Sequence, residues 1–313
     1  MLAVVNSADI NVQTLIMVLF EERRNPMRKS KGVFWLFLAP CLLTFMLAVI
    51  IPMLSGIYYS FTDWDGINSN CDFVGMRNYV KVFQDSYFRN SFVFTILFVI
   101  ASVGTVNLLA FSLALLVTQK MGGSNLFRSI YFMPNLVGGV LVGFTWQFIV
   151  KDVFDSIGQI FHMDFLRGWL STQGTGFWAM VIVVTWQMSG YMMLVYIAQI
   201  QNIPDNLLEA AAIDGAGSFQ QFIRIKLPLM MPAFTIGLFL TMTNCFKLYD
   251  QNLTLTNGGP SKSTEMLTMN IYNTAFVTNQ YGQAQAKGII FLIVVALITV
   301  SQLMATKKKE VEM

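Results

Sequence analysis

The sequence predicts an all-α polytopic membrane protein with six transmembrane helices. Hydrophobic residues make up 55% of its 313 residues, charged residues make up 12%, and the mean hydropathy is +0.58. Soluble domains carry about 25% charged residues, so this chain has too little polar surface to cover a water-soluble globule of its size. The net charge of +3 is too small to indicate a nucleic-acid-binding protein. The three cysteines lie far apart and predict neither a disulfide framework nor a metal motif.

Six segments of about 20 or more mostly apolar residues are long enough to cross the hydrocarbon core of a bilayer. They are Val33–Tyr59, Ser91–Val117, Phe127–Val150, Phe177–Ile200, Pro232–Leu253 and Ala284–Met304. Pro134 interrupts the third segment, and Asn244 and Lys247 interrupt the fifth. We expect such breaks where neighbouring helices or a water-filled cavity satisfy the freed backbone groups. The predicted transmembrane domain spans residues 31–306.

The distribution of Lys and Arg residues predicts the orientation in the membrane. Twelve of them lie in the N-terminal flank, the second and fourth loops and the C-terminal tail, and six lie in the loops on the opposite side. Because basic residues concentrate on the cytoplasmic side, both termini are predicted to be cytoplasmic. Residues 1–30 are then a cytoplasmic tail, residues 201–231 a cytoplasmic loop, and residues 307–313 a second, basic tail.

The first 26 residues fit the rest of the chain poorly. Their apolar run, residues 15–20, is too short to cross a bilayer. They also lack the signal-peptide pattern of a basic start, an apolar run and a small-residue cleavage site. Arg23 and Arg24 can be encoded by AGGAGG, a bacterial ribosome-binding sequence, two codons before Met27. We therefore hypothesise that translation begins at Met27. The alternative is a real, loosely ordered cytoplasmic tail.

The stretch LEAAAIDGAGSFQQFIRIKLPLMMP separates the fourth span from the fifth. We predict a first short helix at Asp205–Asp214, with Asp205 capping its free N–H groups. Gly215 can adopt left-handed backbone angles and would end that helix. The alanines that follow Glu209 keep the helix surface thin, so that a partner chain can approach closely. Glu209 is then the charged group on that surface that could pair with an Arg of the partner.

A second short helix is predicted to follow. Ser218 and Gln221 have the spacing of a capping box, which predicts the helix start. Pro228 is predicted to stop this helix, and Pro232 stands where the fifth span can begin. The loop of residues 201–231 is therefore predicted to be a helix–turn–helix elbow, and we call it the elbow below. The alternative is an amphipathic connector without a partner.

The elbow resembles the EAA loop of permease subunits of binding-protein-dependent, ATP-driven (ABC) importers. Glu-Ala-Ala, three residues, Gly215, nine residues and then Ile-Lys-Leu-Pro ending at Pro228 match every position of that motif. The stretches YYSFTDWDG, FMPNLVGGVLVGFTWQFIV, LTNGGP and YGQAQAKGIIFLIVVALI are similar to the sugar-importing branch, of the maltose, multiple-sugar and glycerol-3-phosphate type. The resemblance runs from about residue 31 to the C-terminus and implies the type I ABC importer permease fold.

The resemblance also implies a division of labour among several chains. In such importers an extracytoplasmic sugar-binding protein captures the sugar, two permease subunits form the pathway, and two cytoplasmic subunits bind and hydrolyse ATP. It implies that this chain pairs with a second permease subunit, as a heterodimer in a bacterial cell membrane. The residues that the motif assigns to coupling with the ATPase are Glu209, Ala210, Ala211, Asp214, Gly215 and Pro228. The chain has no G-x-x-x-x-G-K-[ST] phosphate loop and no catalytic cluster, so we expect no enzymatic activity and no cofactor or metal of its own.

The motifs favour sugars, in particular oligosaccharides, as the transported solute. Glycerol-3-phosphate or another small polar solute is the alternative, and a phosphorylated solute would need a strong cationic site. Two other classes remain open, a membrane enzyme and a non-transporting anchor. The first would need a catalytic cluster, and the second would not need an elbow for an ATPase.

Polar residues inside the spans are the candidates for the sugar pathway, because such groups are costly in a membrane and usually face the bundle interior. Thr241 and Asn244 recur with helical spacing on one face of the fifth span, and Lys247 and Asp250 are spaced to reach each other. The full candidate set is Gln187, Tyr191, Thr241, Asn244, Lys247 and Asp250. The resemblance favours Tyr191 and Thr241, because matching positions touch sugar in the maltose system. The alternative is that these groups only join helices by hydrogen bonds.

The intact mass of the protein isolated from its native host tests the predicted start. We expect a mass that lacks residues 1–26. A measured mass that includes them would show that the N-terminal tail is real.

Overall fold

Every regular element in the described part of the chain is a helix, apart from one isolated antiparallel bridge between Thr62 and Phe73. The computed structural model describes residues 31–68, 71–119 and 123–310. The chain divides into two units, residues 1–58 and 59–313. The hypothesis of a start at Met27 lies outside the described residues. The predicted all-α class is confirmed.

The first predicted span is one long helix. It consists of α1 (Lys31–Phe45), a π-helical turn (Met46–Ile50) and α2 (Ile51–Ser60). The stretch Phe34–Ser60 is long and apolar enough to cross a membrane. α1 contains a proline, Pro40, and the hydroxyl of Thr44 donates a hydrogen bond to the Pro40 carbonyl at 2.8 Å.

The second unit holds the remaining helices. They are α3 (Arg77–Gln84), α4 (Ser86–Val117), α5 (Ser124–Phe132), α6 (Gly139–Phe148), α7 (Phe154–Ile160), α8 (Gln173–Gln201), α9 (Asp205–Ile213), α10 (Ser218–Gln221), α11 (Leu227–Leu229), α12 (Met231–Phe246), α13 (Leu267–Tyr272) and α14 (Tyr281–Lys307). Short 3-10 or π-helical turns lie at Met133–Leu136, Ile149–Val153, Asp164–Leu166, Phe222–Lys226, Asn252–Thr256 and Asn273–Val277. Among the described residues four helices are long and apolar enough to span a membrane, and the number is six if each of two bent helix pairs is counted as one span.

The third predicted span, Phe127–Val150, is not one straight helix. The helical segments Ser124–Leu136 and Gly139–Ile160 meet at 98°. Pro134 removes a backbone N–H donor, and Val137 is extended, with φ −83° and ψ 131°. The chain therefore turns sharply between these segments before it continues as α6.

The fifth predicted span, Pro232–Leu253, extends too far at its C-terminal end. α12 ends at Phe246, and Leu248 N–H donates to the Cys245 carbonyl in a tighter turn. Hydropathy did not reveal this end, because apolar residues continue on both sides of Lys247. At the other end, Met230 separates α12 from the helical stretch Ser218–Leu229, and the two meet at 59°.

The core lies between α4, α8 and α12. Phe98 and Val106 from α4, Met192 and Tyr196 from α8, and Met242 from α12 belong to one cluster of buried apolar side chains. These helices carry their buried residues at spacings of three and four, as packing against neighbours requires. These three helices thus form the packed centre of the second unit, against which the shorter helices lie.

Lys287 of α14 is a buried cation with three polar partners. Its ammonium group lies 2.8 Å from the Asp85 carboxylate, 2.8 Å from Asn270 Oδ1 and 2.9 Å from Thr274 Oγ1. Asp85 also caps α4 by accepting from the Tyr87 N–H at 2.9 Å. Burial raises the pKa of Asp85, but the hydrogen bond and the charge of Lys287 outweigh it, so that its pKa is below the ordinary value. This cluster joins the last span to the start of α4 and to the segment before α14.

Gly190 allows the backbones of α8 and α5 to come into direct contact. A Cβ atom at Gly190, in α8, would lie 1.7 Å from the Tyr131 carbonyl oxygen and 2.4 Å from its carbon. The obstructing atoms belong to the backbone of α5 and cannot rotate away. By contrast, a Cβ atom at Gly104, in α4, would have no heavy atom within 4 Å.

Gly190→Ala should therefore push α5 away from α8. We expect a loss of about 1–3 kcal/mol of stability, the usual cost of overpacking. Gly104→Ala is the matched control, and its stability should be unchanged or higher by up to about 1 kcal/mol, because Ala favours the helix. The measurement is the thermal midpoint of the purified protein in detergent. Equal midpoints for Gly190→Ala and wild type would contradict the close contact.

Candidate functional site

The first elbow helix forms close to its predicted position. α9 begins at Asp205 and ends at Ile213, one residue before the predicted end. Asp205 is not the cap, because Pro204 occupies the N-cap position with extended backbone and makes no side-chain hydrogen bond there. Asp205 is instead the first helical residue. Its charge still interacts favourably with the positive end of the helix dipole.

Gly215 ends the first elbow helix as predicted. Its φ is +83°, in the left-handed region that favours glycine. The Ala216 N–H donates to the Ala211 carbonyl at 2.9 Å, and the Gly215 N–H donates to the Ala212 carbonyl at 3.1 Å. These two bonds satisfy carbonyls that the helix end would otherwise leave free.

The predicted capping box of the second elbow helix is wrong. Gly217 is the N-cap of α10, and Ser218 is its first helical residue and makes no capping bond. The Gln221 side chain donates to the Ala216 carbonyl at 3.0 Å, so it ties the turn to the helix. The helical stretch also passes Pro228 and ends at Leu229, because the preceding turn is π-helical and relocates the hydrogen bonds.

The elbow presents a mixed charged and apolar surface. Of the six predicted coupling residues, Glu209, Ala210, Asp214 and Gly215 are exposed, whereas Ala211 and Pro228 are half-buried. Two apolar side chains that the sequence analysis missed are also highly exposed, Ile213 at 87% and Phe219 at 76%. The signal for them was present in the sequence, since both are large apolar residues beside glycines and polar residues.

A polar cavity of about 450 Å³ brings together most of the predicted pathway residues. Gln187, Tyr191, Asn244, Lys247 and Asp250 line it. They come from α8, from the end of α12 and from the segment that follows α12. The sequence analysis did not select three further polar lining residues, Asn135, Tyr249 and Gln251. Asn135 lies in the turn at the bend of the third span, which no helical periodicity could place.

Thr241 does not line this cavity. It is fully buried, its hydroxyl donates to the Gly237 carbonyl at 2.7 Å, and it accepts from Asn107 Nδ2 at 3.3 Å. The Tyr196 hydroxyl donates to Asn107 Oδ1 at 2.5 Å. Thr241 therefore belongs to a chain of hydrogen bonds that joins α12, α4 and α8. Thr241 and Asn244 do lie three positions apart in α12, as predicted, but they do not share one environment. Asn244 lines the cavity, whereas Thr241 is buried between helices.

Lys247 and Asp250 do not pair with each other. In the described ranges, the ion pairs with nitrogen–oxygen distances within 4.0 Å are Arg167–Asp164 and Lys287–Asp85. The expected pairing assumed that the helix continued through both residues, whereas α12 ends at Phe246. The cavity wall therefore carries one cation and one anion that do not neutralise each other directly.

Gln187 uses both ends of its side-chain amide. Its Nε2 donates to the Val137 carbonyl at 2.9 Å, and its Oε1 accepts from Gln251 Nε2 at 2.7 Å. It thus connects α8 both to the bend of the third span and to the segment after α12.

Residues 14–309 match the family described as the binding-protein-dependent transport system inner membrane component. The chain belongs to this family. It is accordingly a multi-pass membrane permease subunit and not itself an enzyme. This confirms the resemblance that the EAA motif indicated.

Two relatives show where the permease lies within the family. It is 49% identical over 280 residues to the probable starch degradation products transport system permease protein AmyD of Thermoanaerobacterium thermosulfurigenes, with 90% of this chain and 96% of that protein covered. It is 34% identical over 282 residues to the multiple sugar-binding transport system permease protein MsmF of Streptococcus mutans, with 88% and 96% covered. These names confirm the resemblance to the sugar-importing branch.

The fold of the permease is similar to that of a chain in the crystal structure of a bacterial ABC transporter involved in the import of the acidic polysaccharide alginate. The TM-score is 0.78 at 20% identity, and the match covers 90% of this chain and 96% of that chain. At this identity the likeness shows the fold alone. It confirms the predicted ABC importer permease fold.

Proposed function

We propose that this permease forms half of the translocation pathway of an ATP-driven importer of oligosaccharides. The observation that carries the proposal is the polar cavity between α8, the end of α12 and the bend of the third span. Its volume of about 450 Å³ lies within the usual range of small-molecule sites. The sugar-transport names of the relatives support the same class of solute.

The cavity chemistry suits an uncharged, hydroxyl-rich solute. Tyr191 offers an aromatic face for the C–H surface of a sugar ring and a hydroxyl for a hydrogen bond. Asn244 donates one bond to the Leu240 carbonyl at 3.0 Å and retains its own carbonyl oxygen as an acceptor. Lys247 and Asp250 add a donor and an acceptor. A solute with hydroxyl groups on every side can use all of them.

Glycerol-3-phosphate is the rival solute, and the charges on the cavity wall disfavour it. A phosphate group needs a concentrated positive charge, as an Arg or Lys cluster provides. Lys247 is the one cation among the residues that line this cavity, and Asp250 lines the same wall. A phosphate ester would therefore meet repulsion together with attraction.

The proposed partners follow the division of labour in the family. A second permease subunit supplies the other half of the pathway, an extracytoplasmic sugar-binding protein delivers the sugar, and two ATP-binding subunits dock on the cytoplasmic side. Both termini and the elbow are then cytoplasmic. ATP binding shifts an inward-open and outward-open equilibrium, because the ATPase contacts differ in free energy between these states.

The elbow is the proposed handle for this coupling. The small residues after Glu209 let α9 lie close to an ATPase cleft, where Ile213 and Phe219 lose their exposed apolar surface to the partner. Glu209 supplies the charge that pairs with an ATPase Arg at a partly desolvated interface. Apolar burial provides affinity in this arrangement, and the charge fixes the register.

Tyr191→Ala tests the cavity as the sugar pathway. We expect a strain that expresses the wild-type permease with its partner subunits to take up radiolabelled maltotriose and to reject glycerol-3-phosphate. The Tyr191→Ala variant should lose most of this uptake, because it removes the aromatic face and one hydroxyl, yet still co-purify with the ATPase. Tyr131→Ala is the matched control, since Tyr131 is 39% exposed against 37% for Tyr191 but lies outside this cavity.

Two outcomes would contradict the pathway assignment. The first is normal uptake by the Tyr191→Ala variant. The second is equal loss of uptake in both tyrosine variants. Uptake of glycerol-3-phosphate by the wild type would establish the rival solute instead.

Glu209→Lys tests the coupling role of the elbow. The change places a cation opposite the ATPase Arg, and breaking such a pair typically costs about 2–5 kcal/mol. We expect reduced co-purification of the ATPase and loss of uptake, while membrane insertion persists. Both are measured on the same preparations, as the amount of bound ATPase and as uptake in cells.

Glu310→Lys is the control, because it makes the same charge reversal on the predicted cytoplasmic side outside the elbow. Gly215→Val should damage coupling by a second route, since a β-branched residue resists the φ of +83° at that position. Full uptake by Glu209→Lys together with failure of Gly215→Val would mean that the elbow couples through shape alone.

A further inference from the structure

The polar side chains of the cavity fall into two groups. Gln187 and Gln251 are hydrogen-bonded to each other, and Gln187 also bonds to the Val137 carbonyl. Gln187 is 8% exposed and has little surface left for a ligand. A sugar that displaced these bonds would leave the buried Gln187 amide without its partners, which costs about 1–3 kcal/mol. These two glutamines therefore hold the wall of the cavity and do not bind the solute.

Asn135 belongs to the other group. It lies in the 3-10 turn Met133–Leu136, is half-buried and lines the cavity. Its side-chain amide makes no hydrogen bond to any described residue. An amide both donates and accepts, so it can bridge two neighbouring hydroxyl groups of a sugar ring.

The turn that carries Asn135 is held in a fixed position. Gln187 anchors it at Val137, and the start of α6 packs directly on the segment after α12. A Cβ atom at Gly139 would lie 2.9 Å from the Asp250 Cβ, and one at Gly143 would lie 1.7 Å from Thr254 Oγ1. Because a substrate-contacting group must be held in place by its supports, this packing is what a site residue on a turn requires.

We propose that Asn135 contacts the transported sugar and contributes to its selection, and that Gln187 is a positioning residue that fixes the turn of Asn135. This inference rests on the proposed function, since it assigns a further residue to the same cavity. The bend of the third span thus serves to bring a free amide into the pathway. The ligand is an uncharged sugar with adjacent hydroxyl groups. Asn135 forms a hydrogen bond to one of these hydroxyls, and that hydroxyl has no partner in a variant that lacks the amide.

The test compares a sugar with analogues that lack single hydroxyl groups. The complete importer, with its partner subunits and binding protein, is reconstituted in vesicles, and uptake of maltotriose and of its monodeoxy analogues is measured at saturating binding protein. For one analogue the wild type should show a loss of about fivefold to thirtyfold, the effect of one missing hydrogen bond to a positioned group. Asn135→Ala should transport maltotriose as slowly as that analogue, so that the difference between the two sugars disappears.

Gln187→Ala should behave differently. It should slow the uptake of maltotriose and of all the analogues by the same factor, with the ratio between them as in wild type, because it loosens the turn without removing the contacting group. It should also lower the thermal midpoint of the complex. A Gln187→Glu variant keeps the acceptor for Gln251 but loses the donor to Val137. Its thermal midpoint should therefore recover less than half of the decrease seen in Gln187→Ala.

Several results would overturn the proposal. Asn135→Ala could slow all the sugars equally or leave uptake unchanged, and either result would mean that Asn135 has no selective contact. Loss of selectivity in Gln187→Ala, with Asn135→Ala unaffected, would reverse the two roles. These failures are distinct from failure of the proposed function, in which the wild type transports no sugar or Tyr191→Ala transports normally.

Discussion

Glutamine side chains of α8 satisfy the backbone carbonyls that the two bent spans leave without helical partners. Gln187 donates to the Val137 carbonyl and Gln199 to the Leu229 carbonyl, both at 2.9 Å. Both hydrogen bonds are part-buried, and a polar group that loses its partner away from water costs about 1–3 kcal/mol. The bends of the third and fifth spans therefore depend on α8. The cavity is built at the first bend, and the elbow leads into the second.

The same rule explains what the family motifs do in this fold. In the LTNGGP region the Asn252 side chain donates to the Thr264 carbonyl at 2.8 Å and accepts from the Met266 N–H at 2.9 Å, which closes the loop between them. In the WDG motif the Trp64 ring stacks on Tyr59 with centroids 4.3 Å apart. The backbone carbonyl of Trp64 accepts from the Gly282 N–H at 2.9 Å. These motifs hold irregular backbone together. The motifs therefore have a structural role in the fold, and this role does not require contact with the sugar.

Hydropathy and motif spacing predicted the parts of the molecule that depend on local chemistry. The spans of α4, α8 and α14 follow from their apolar length, and the left-handed Gly215 follows from the need to end a helix beside a polar turn. Most of the residues that were misassigned or missed depend on tertiary structure. Thr241 has the periodicity of a cavity residue, but its hydroxyl accepts a hydrogen bond from Asn107 of α4. Ser218 has the spacing of a cap, but Gly217 is the residue with cap geometry. Asn135 has no periodic signal, since its place is set by a 98° bend whose angle no sequence pattern encodes.

The placement of both glutamines on one helix limits how the permease can move. Gln187 and Gln199 are twelve positions apart, about 18 Å along an α-helix. Straightening either bend would break its glutamine bond and leave a part-buried carbonyl and a part-buried amide without partners. A rigid-body rotation of α8 together with both bends keeps these bonds intact. Alternating access in the proposed importer should therefore move α8, the cavity turn and the base of the elbow as one body, so that a displacement applied at α9 reaches Asn135 without unbending any span.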